Sequence, residues 1–81
     1  MSTLAVELHA QAHNITFTNE TLVVELIDGR TISVPLVWFP RLSNASKAQL
    51  NNWELLGDGE GIHWPDLDED LSVAGLLAGA H

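Results

Sequence analysis

The sequence contains no cysteine among its 81 residues. Without thiols, the chain cannot form a disulfide framework, a thiolate zinc site or a cysteine nucleophile. The absence is typical of proteins from a reducing cytosol. A chain of this length buries only about 60–65% of its unfolded surface on folding, so it has room for one core. We therefore expect a single domain over residues 1–81.

Positive charge is also scarce. The chain has 3 Lys and Arg residues against 11 Asp and Glu residues, and its formal net charge is −8. Residues 48–81 contain no Lys or Arg and carry a net charge of −7. Such an acidic field repels nucleic acids and anionic membranes and attracts cations or basic protein surfaces. The composition therefore predicts no direct binding of nucleic acid or membrane.

Long apolar runs are missing as well, since none reaches the roughly 20 residues of a membrane-spanning helix. The first residues, Met1, Ser2 and Thr3, do not form the basic region that opens a signal peptide. The hydrophobic fraction of 46% is nevertheless that of a folded domain. We expect a cytoplasmic protein, located in a bacterium or in the cytoplasm of a host if a phage encodes it.

The first half of the sequence alternates apolar and polar residues, which is typical of half-buried strands. Asp28 and Gly29 lie between two such runs and predict a two-residue type I′ hairpin. Pro35 should end the last strand because it cannot donate a ladder hydrogen bond. We expect an antiparallel meander of about four strands, from the alternation over residues 4–13 that continues at Ile15 and Phe17, from residues 21–27 and from residues 30–34.

Short helices and two short strands are predicted after this meander. The apolar cluster from Leu36 to Leu42 predicts a helical corner, and Ser46 and Gln49 have the spacing of a capping box. Residues 53–56 and 61–64 predict strands around a glycine-containing loop. Residues 66–79 predict a final amphipathic helix that ends at Gly79. The predicted class is α+β: the meander, two short strands, and two to three small helices.

The acidic run after Pro65 has two interpretations. Asp66, Asp68 and Asp70 match the first ligand positions of an EF-hand calcium loop, but Leu71 and Leu77 replace its required Gly and Glu. The favoured interpretation is that these acids begin the final helix, where they complement its dipole, or form an acidic binding face. We predict no metal and no cofactor.

His63 lies between Ile62 and Trp64, close to the acidic run. A histidine beside carboxylates can act as a general base or a metal ligand. However, no Ser, Cys or Lys forms a recognisable nucleophile motif around it. The simpler interpretation is a strand histidine that hydrogen-bonds a nearby carboxylate or backbone carbonyl.

The aromatic residues predict core or rim packing, because stacking on nucleic acid would need cations that the chain lacks. They are Trp38, Phe39, Trp53 and Trp64. Arg41 is expected to pair with a carboxylate of the chain. Arg41, His63 and Trp64 are otherwise candidate anchors for a protein interface.

Several segments together match the pattern of a known family. They are residues 38–42 (WFPRL), Trp53, residues 59–73 and residues 75–77, and the string IHWPDLDEDLS at residues 62–72 is the most specific. The chain resembles the bacterial domain-of-unknown-function family 2442 over essentially its whole length. The resemblance implies a compact α+β fold and no reaction. Members of that family are stand-alone proteins or appendages to helix-turn-helix domains, and some are encoded beside small toxins, which implies an antitoxin-like role.

The chain is also similar in size and charge to acidic anti-CRISPR proteins, several of which block basic grooves. We therefore expect a non-enzymatic module that blocks a basic, nucleic-acid-binding surface of a partner protein by charge mimicry, as an anti-CRISPR-type inhibitor or an antitoxin-like protein. The predicted contact residues are Asp58, Glu60, Asp66, Asp68, Glu69 and Asp70.

Two alternatives remain open. One is a structural or accessory oligomerisation domain that associates through apolar surface. The other is a metal-dependent hydrolase that uses His63 with Asp66 or Asp68. The sequence predicts neither the identity of the partner nor the oligomeric state.

Overall fold

The computed structural model describes residues 10–79. The first half contains β1 (Ala12–Thr18), β2 (Thr21–Leu26) and β3 (Thr31–Pro35). A 3-10 turn at Leu36–Trp38 leads to helices α1 (Pro40–Ser43) and α2 (Lys47–Asn51). The second half contains β4 (Glu54–Leu56), β5 (Gly61–Trp64), β6 (Glu69–Ser72) and helix α3 (Val73–Ala78). The predicted α+β class is confirmed.

The first sheet is an antiparallel meander with the strand order β1-β2-β3. Val24 on the central strand pairs with Ile15 on one side and Ile32 on the other. Ala12 and Ile15 lie in the single strand β1, and the first sheet has three strands among the described residues, where we predicted about four. The part of the alternating segment before residue 10 lies outside the described residues, and residues 10 and 11 are not in a strand.

The hairpin between β2 and β3 is present, but its predicted turn type is wrong. A type I′ turn needs a positive φ at both central residues, and among the pair only Gly29 has one, at 97°. The backbone N–H of Leu26 donates to the Arg30 carbonyl at 2.8 Å, and that of Gly29 donates to the Leu26 carbonyl at 3.1 Å. These bonds define a three-residue loop with a left-handed glycine at its end.

The second sheet contains three strands in the order β4-β5-β6, where we predicted two. The predicted final helix begins at Val73 rather than near Asp66, because Glu69–Ser72 pairs with β5 as a strand. No acidic residue lies in the first turn of α3, so the predicted interaction of the acidic run with the helix dipole is wrong. The N-cap is Ser72, whose hydroxyl accepts from the Gly75 N–H at 3.0 Å.

The predicted ends of two short helices are confirmed. Ser46 and Gln49 form both hydrogen bonds of a capping box at the start of α2. Gly79 ends α3 in the left-handed conformation, with φ of 81°. A side chain other than glycine or asparagine would be strained at that position.

The core extends from the first sheet to the second. Trp64 is fully buried, its ring makes a T-shaped contact with that of Phe17 in β1 with 6.4 Å between centroids, and its indole N–H donates to the Leu50 carbonyl at 3.0 Å. The predicted packing role of this residue is therefore confirmed. Leu42 and Val73 are fully buried in the same cluster. Within residues 10–79, no helix has the length and apolar character needed to cross a membrane.

Candidate functional site

The second sheet has one apolar face and one charged face. Leu55, Ile62 and Leu71 pair across the three strands and pack on the core. The neighbouring row consists of Glu54, His63 and Asp70. Because successive residues of a strand point to opposite faces, this row lies on the side away from the core. Its members are an exposed glutamate, a half-buried histidine and an exposed aspartate.

His63 and Asp70 interact directly at the centre of this row. The His63 Nδ1 atom and the Asp70 Oδ1 atom form a short hydrogen bond and ion pair. The expectation that His63 binds a nearby carboxylate is confirmed. This hydrogen bond raises the pKa of His63, and the negative charges of Asp70, Glu54 and Asp68 raise it further, against a smaller lowering effect of burial.

The turn between β5 and β6 carries Asp66 and Asp68. The Leu67 N–H donates to the Trp64 carbonyl at 3.1 Å, and Asp68 has a positive φ of 51°. The Asp66 carboxylate accepts a hydrogen bond from the Asn52 side chain at 3.0 Å. Both acids are exposed at the surface of this turn.

Arg41 reaches the same turn from α1. Its guanidinium donates to the carbonyl oxygens of Leu67 at 3.2 Å and Asp68 at 2.8 Å. The expectation that Arg41 pairs with a carboxylate is wrong among the described residues. The tight turn directs these two carbonyl groups toward Arg41, and the guanidinium binds them instead.

The six predicted contact residues do not form one cluster. Asp58 and Glu60 lie on the loop between β4 and β5, at the end of β5 opposite the Asp66–Asp68 turn. Glu69 pairs with the buried Trp64 and is only partly exposed, whereas Asp70 lies on the other face. Glu54 was not predicted, although the β4–β5 register places it beside His63, on the opposite side of β5 from Asp70.

Most acidic residues of the second half form no ion pair with a cation of the chain among the described residues. Arg30 binds Asp28 in the first half, with Nη2 2.8 Å from Oδ2. Among residues 10–79, His63 is the only ion-pair partner of a carboxylate beyond residue 47. No hydrogen bond or ion pair within the described residues engages the carboxylates of Asp58, Glu60 and Asp68. These charges are therefore exposed to solvent and to any partner.

The structure also changes the roles of two other predicted residues. Trp64 is fully buried, so it offers no surface that could anchor a partner. His63 binds Asp70, rather than the Asp66 or Asp68 of the hydrolase alternative. No group of three or more His, Asp or Glu side chains in residues 10–79 is arranged to hold a metal ion.

Comparison with known proteins identifies a family and two similar structures. The family described as "Protein of unknown function (DUF2442)" matches residues 12–81. A crystal structure of a protein of unknown function from Rhodospirillum rubrum has a TM-score of 0.76 and 37% identity, with 88% of each chain covered.

An uncharacterised protein from Chromobacterium violaceum, solved by NMR, has a TM-score of 0.73 and 24% identity. The match covers 85% of the present chain and 65% of that protein, and it shows a shared fold. No curated protein matches the chain significantly.

Proposed function

The chain belongs to the DUF2442 family of proteins of unknown function, and we propose that it is a non-enzymatic binding module for a basic protein surface. Its acidic second half would occupy the groups with which a partner protein holds nucleic acid. The partner could then no longer bind that nucleic acid.

The observation that carries this proposal is the set of exposed carboxylates without internal cations. The carboxylates of Asp58, Glu60 and Asp68 form no hydrogen bond or ion pair in the described residues, and all three residues are exposed. Carboxylates held on the loops of a sheet form charge-assisted hydrogen bonds with Arg and Lys, as phosphates do. The second sheet is thus suited to compete with a nucleic acid for basic side chains.

The arrangement gives this surface two acidic ends. The β4–β5 loop carries Asp58 and Glu60, and the β5–β6 turn carries Asp66 and Asp68. The strand β5 lies between the two ends, and its four residues are about 13 Å long at the usual rise of a strand. A matching partner would present basic groups at two places rather than one.

Two kinds of partner have this character. One is a nucleic-acid-guided defence complex, for which the chain would be an anti-CRISPR-type inhibitor. The other is a toxin, which the chain would mask as an antitoxin-like protein. In both cases the same carboxylates would make the contact.

A displacement assay tests the proposal. The chain is used to capture a partner at low salt, and the captured protein is then mixed with a fluorescent oligonucleotide. We expect the chain to displace the oligonucleotide, and we expect the double variant Asp58→Asn/Asp68→Asn to displace it about tenfold less well, since each lost ionic contact costs about 0.7 kcal/mol.

The matched control removes the same charge from the first sheet. Glu20→Gln/Glu25→Gln changes an exposed turn residue and a carboxylate that accepts a hydrogen bond from Asn14, and it should displace the oligonucleotide as the wild type does. Equal displacement of the oligonucleotide by both double variants would contradict the proposal. Association that strengthens with salt would favour the oligomerisation alternative, because apolar contacts strengthen under those conditions.

A further inference from the structure

The hydrogen bond between His63 and Asp70 connects β5 with β6. Among the described residues, no other side-chain hydrogen bond or ion pair connects these two strands. Their register places them directly opposite each other on β5 and β6. The Asp70 side chain is 66% exposed and the His63 side chain is 27% exposed. Water therefore reaches the pair, and the charge of the imidazole can follow the pH of the solution.

The position of β6 means that the His63–Asp70 pair can affect how firmly both β6 and α3 are held. β6 is an edge strand of four residues, so it has only one neighbour in the sheet. It runs without a loop into α3, whose Val73 and Leu76 are buried in the core. The Val73 N–H donates to the Glu60 carbonyl at 3.0 Å, so the junction of β6 and α3 is also attached to the loop before β5.

The carboxylates around His63 all favour its protonated form. Asp70 faces it from β6, Glu54 faces it from β4, and Asp68 acts from the β5–β6 turn. Arg41 also approaches this turn from α1, but its guanidinium is bound to the Leu67 and Asp68 carbonyls. Three carboxylates therefore surround one imidazole.

We propose that His63 is a pH-dependent link that holds β6, and with it α3, to the second sheet. The protonated imidazole forms an ion pair and a charge-assisted hydrogen bond with Asp70, and loss of the proton leaves a weaker bond between a neutral imidazole and the carboxylate. This inference is independent of the proposed function, since it concerns the fold of the chain alone.

The direction of the effect follows from the pKa of His63. This pKa is raised above the ordinary value of 6.5 in the folded chain. Protonation then favours the folded state, and the gain is complete below the unfolded pKa. It is lost as the pH rises through the raised pKa of the folded state. The link is therefore strongest in mildly acidic solution and weakest in alkaline solution.

Histidine NMR titration of the full chain tests the link. The His63 signals, assigned by their loss in His63→Gln, should titrate with a midpoint above 6.5. Asp70→Asn should lower that midpoint most, because the hydrogen bond from Asp70 is the largest cause of the shift, and Glu54→Gln should lower it less. Asp58→Asn removes the same charge at the far end of β5 and should leave the midpoint nearly unchanged.

Hydrogen exchange tests the consequence for β6. The protection factors of the Glu69–Ser72 amides should fall several-fold from about pH 6 to about pH 8.5, while those of β2 stay constant. In His63→Gln the β6 values should not depend on pH. If Asp70→Asn does not fold, titration of the wild type at low and high salt still tests the link. Salt screens the carboxylates around His63, so it should lower the midpoint of the His63 titration. A wild-type midpoint at or below 6.5, or pH-independent protection of β6, would overturn the proposal.

Discussion

At Gly59 the backbone of the β4–β5 loop leaves no room for a side chain. Its N–Cα torsion φ is +96°, and a Cβ atom there would lie 2.3 Å from the Ala12 carbonyl oxygen. The Ala12 N–H donates to the Gly59 carbonyl at 2.7 Å, so this contact joins the first sheet to the loop of the second. Glycine is required here for both its conformation and its size.

We expect Gly59→Ala to destabilise the chain by about 3–5 kcal/mol, which combines backbone strain with a clash against backbone atoms. Gly57→Ala is the matched control, because Gly57 also has a positive φ, +61°, but has no atom within 4 Å of the added Cβ. It should cost only about 1–2 kcal/mol. Urea unfolding of both variants measures the difference, and equal losses would contradict the contact between Gly59 and Ala12.

Asp28 provides a second test at the residue scale. The Arg30 backbone N–H donates to its carboxylate at 3.0 Å and the guanidinium adds a further bond, and together they hold the pKa of Asp28 below 3.8. Since the folded pKa is lowered, this carboxylate stabilises the fold above pH 3.8, and the gain is lost as the pH falls through the folded pKa.

In Arg30→Gln the pKa of Asp28 should rise only in part, because the backbone hydrogen bond from residue 30 is the largest cause of the lowering and persists in the variant. Carboxyl carbon NMR over the acidic range gives the midpoint. A complete return to 3.8 would show that the guanidinium, and not the backbone N–H, holds the carboxylate.

At the scale of elements, local sequence signals predicted the helix ends that have a clear capping motif. The Ser46 and Gln49 capping box and the Gly79 helix end were visible in the sequence because each depends on neighbours within four residues. The third strand of the second sheet was not visible. The segment Glu69–Ser72 is acidic and short, and only its pairing with β5, through Leu71 and Asp70, makes it a strand.

The same limit applies to Arg41 and Glu54. Arg41 lies 26 and 27 residues before the two carbonyl groups that it binds. Glu54 joins His63 only through the β4–β5 register. Contacts of this kind depend on tertiary packing rather than on sequence spacing, so charge counting alone assigned Arg41 the wrong acceptor and omitted Glu54.

Arg41 should stabilise the β5–β6 turn from outside the sheet. Arg41→Gln removes a charged donor from two carbonyl oxygens, and we expect a loss of about 0.5–1.5 kcal/mol with faster hydrogen exchange in the turn and in β6. Arg30→Gln is the control of equal charge, and it should affect the β2–β3 hairpin instead. Unchanged exchange at residues 65–70 in Arg41→Gln would contradict this role.

At the scale of the whole molecule, the sequence predicted the α+β class, the family and the division of charge between the halves. It could not predict how the acids divide on the surface. Asp58 and Glu60 lie at one end of β5, Asp66 and Asp68 lie at the other, and Asp70 is partly neutralised by His63. The unpartnered acids are therefore fewer than the net charge of −7 beyond residue 47 indicates.

The salt dependence of partner binding tests the central claim most directly. The dissociation constant for the captured partner is measured from about 50 mM to about 200 mM salt, for the wild type and for Asp58→Asn/Asp68→Asn. If the exposed carboxylates bind a basic surface, wild-type binding weakens by about tenfold or more over this range, and the double variant binds more weakly with a shallower salt dependence. Wild-type binding that does not change with salt, or a double variant with the wild-type affinity and slope, would contradict the account.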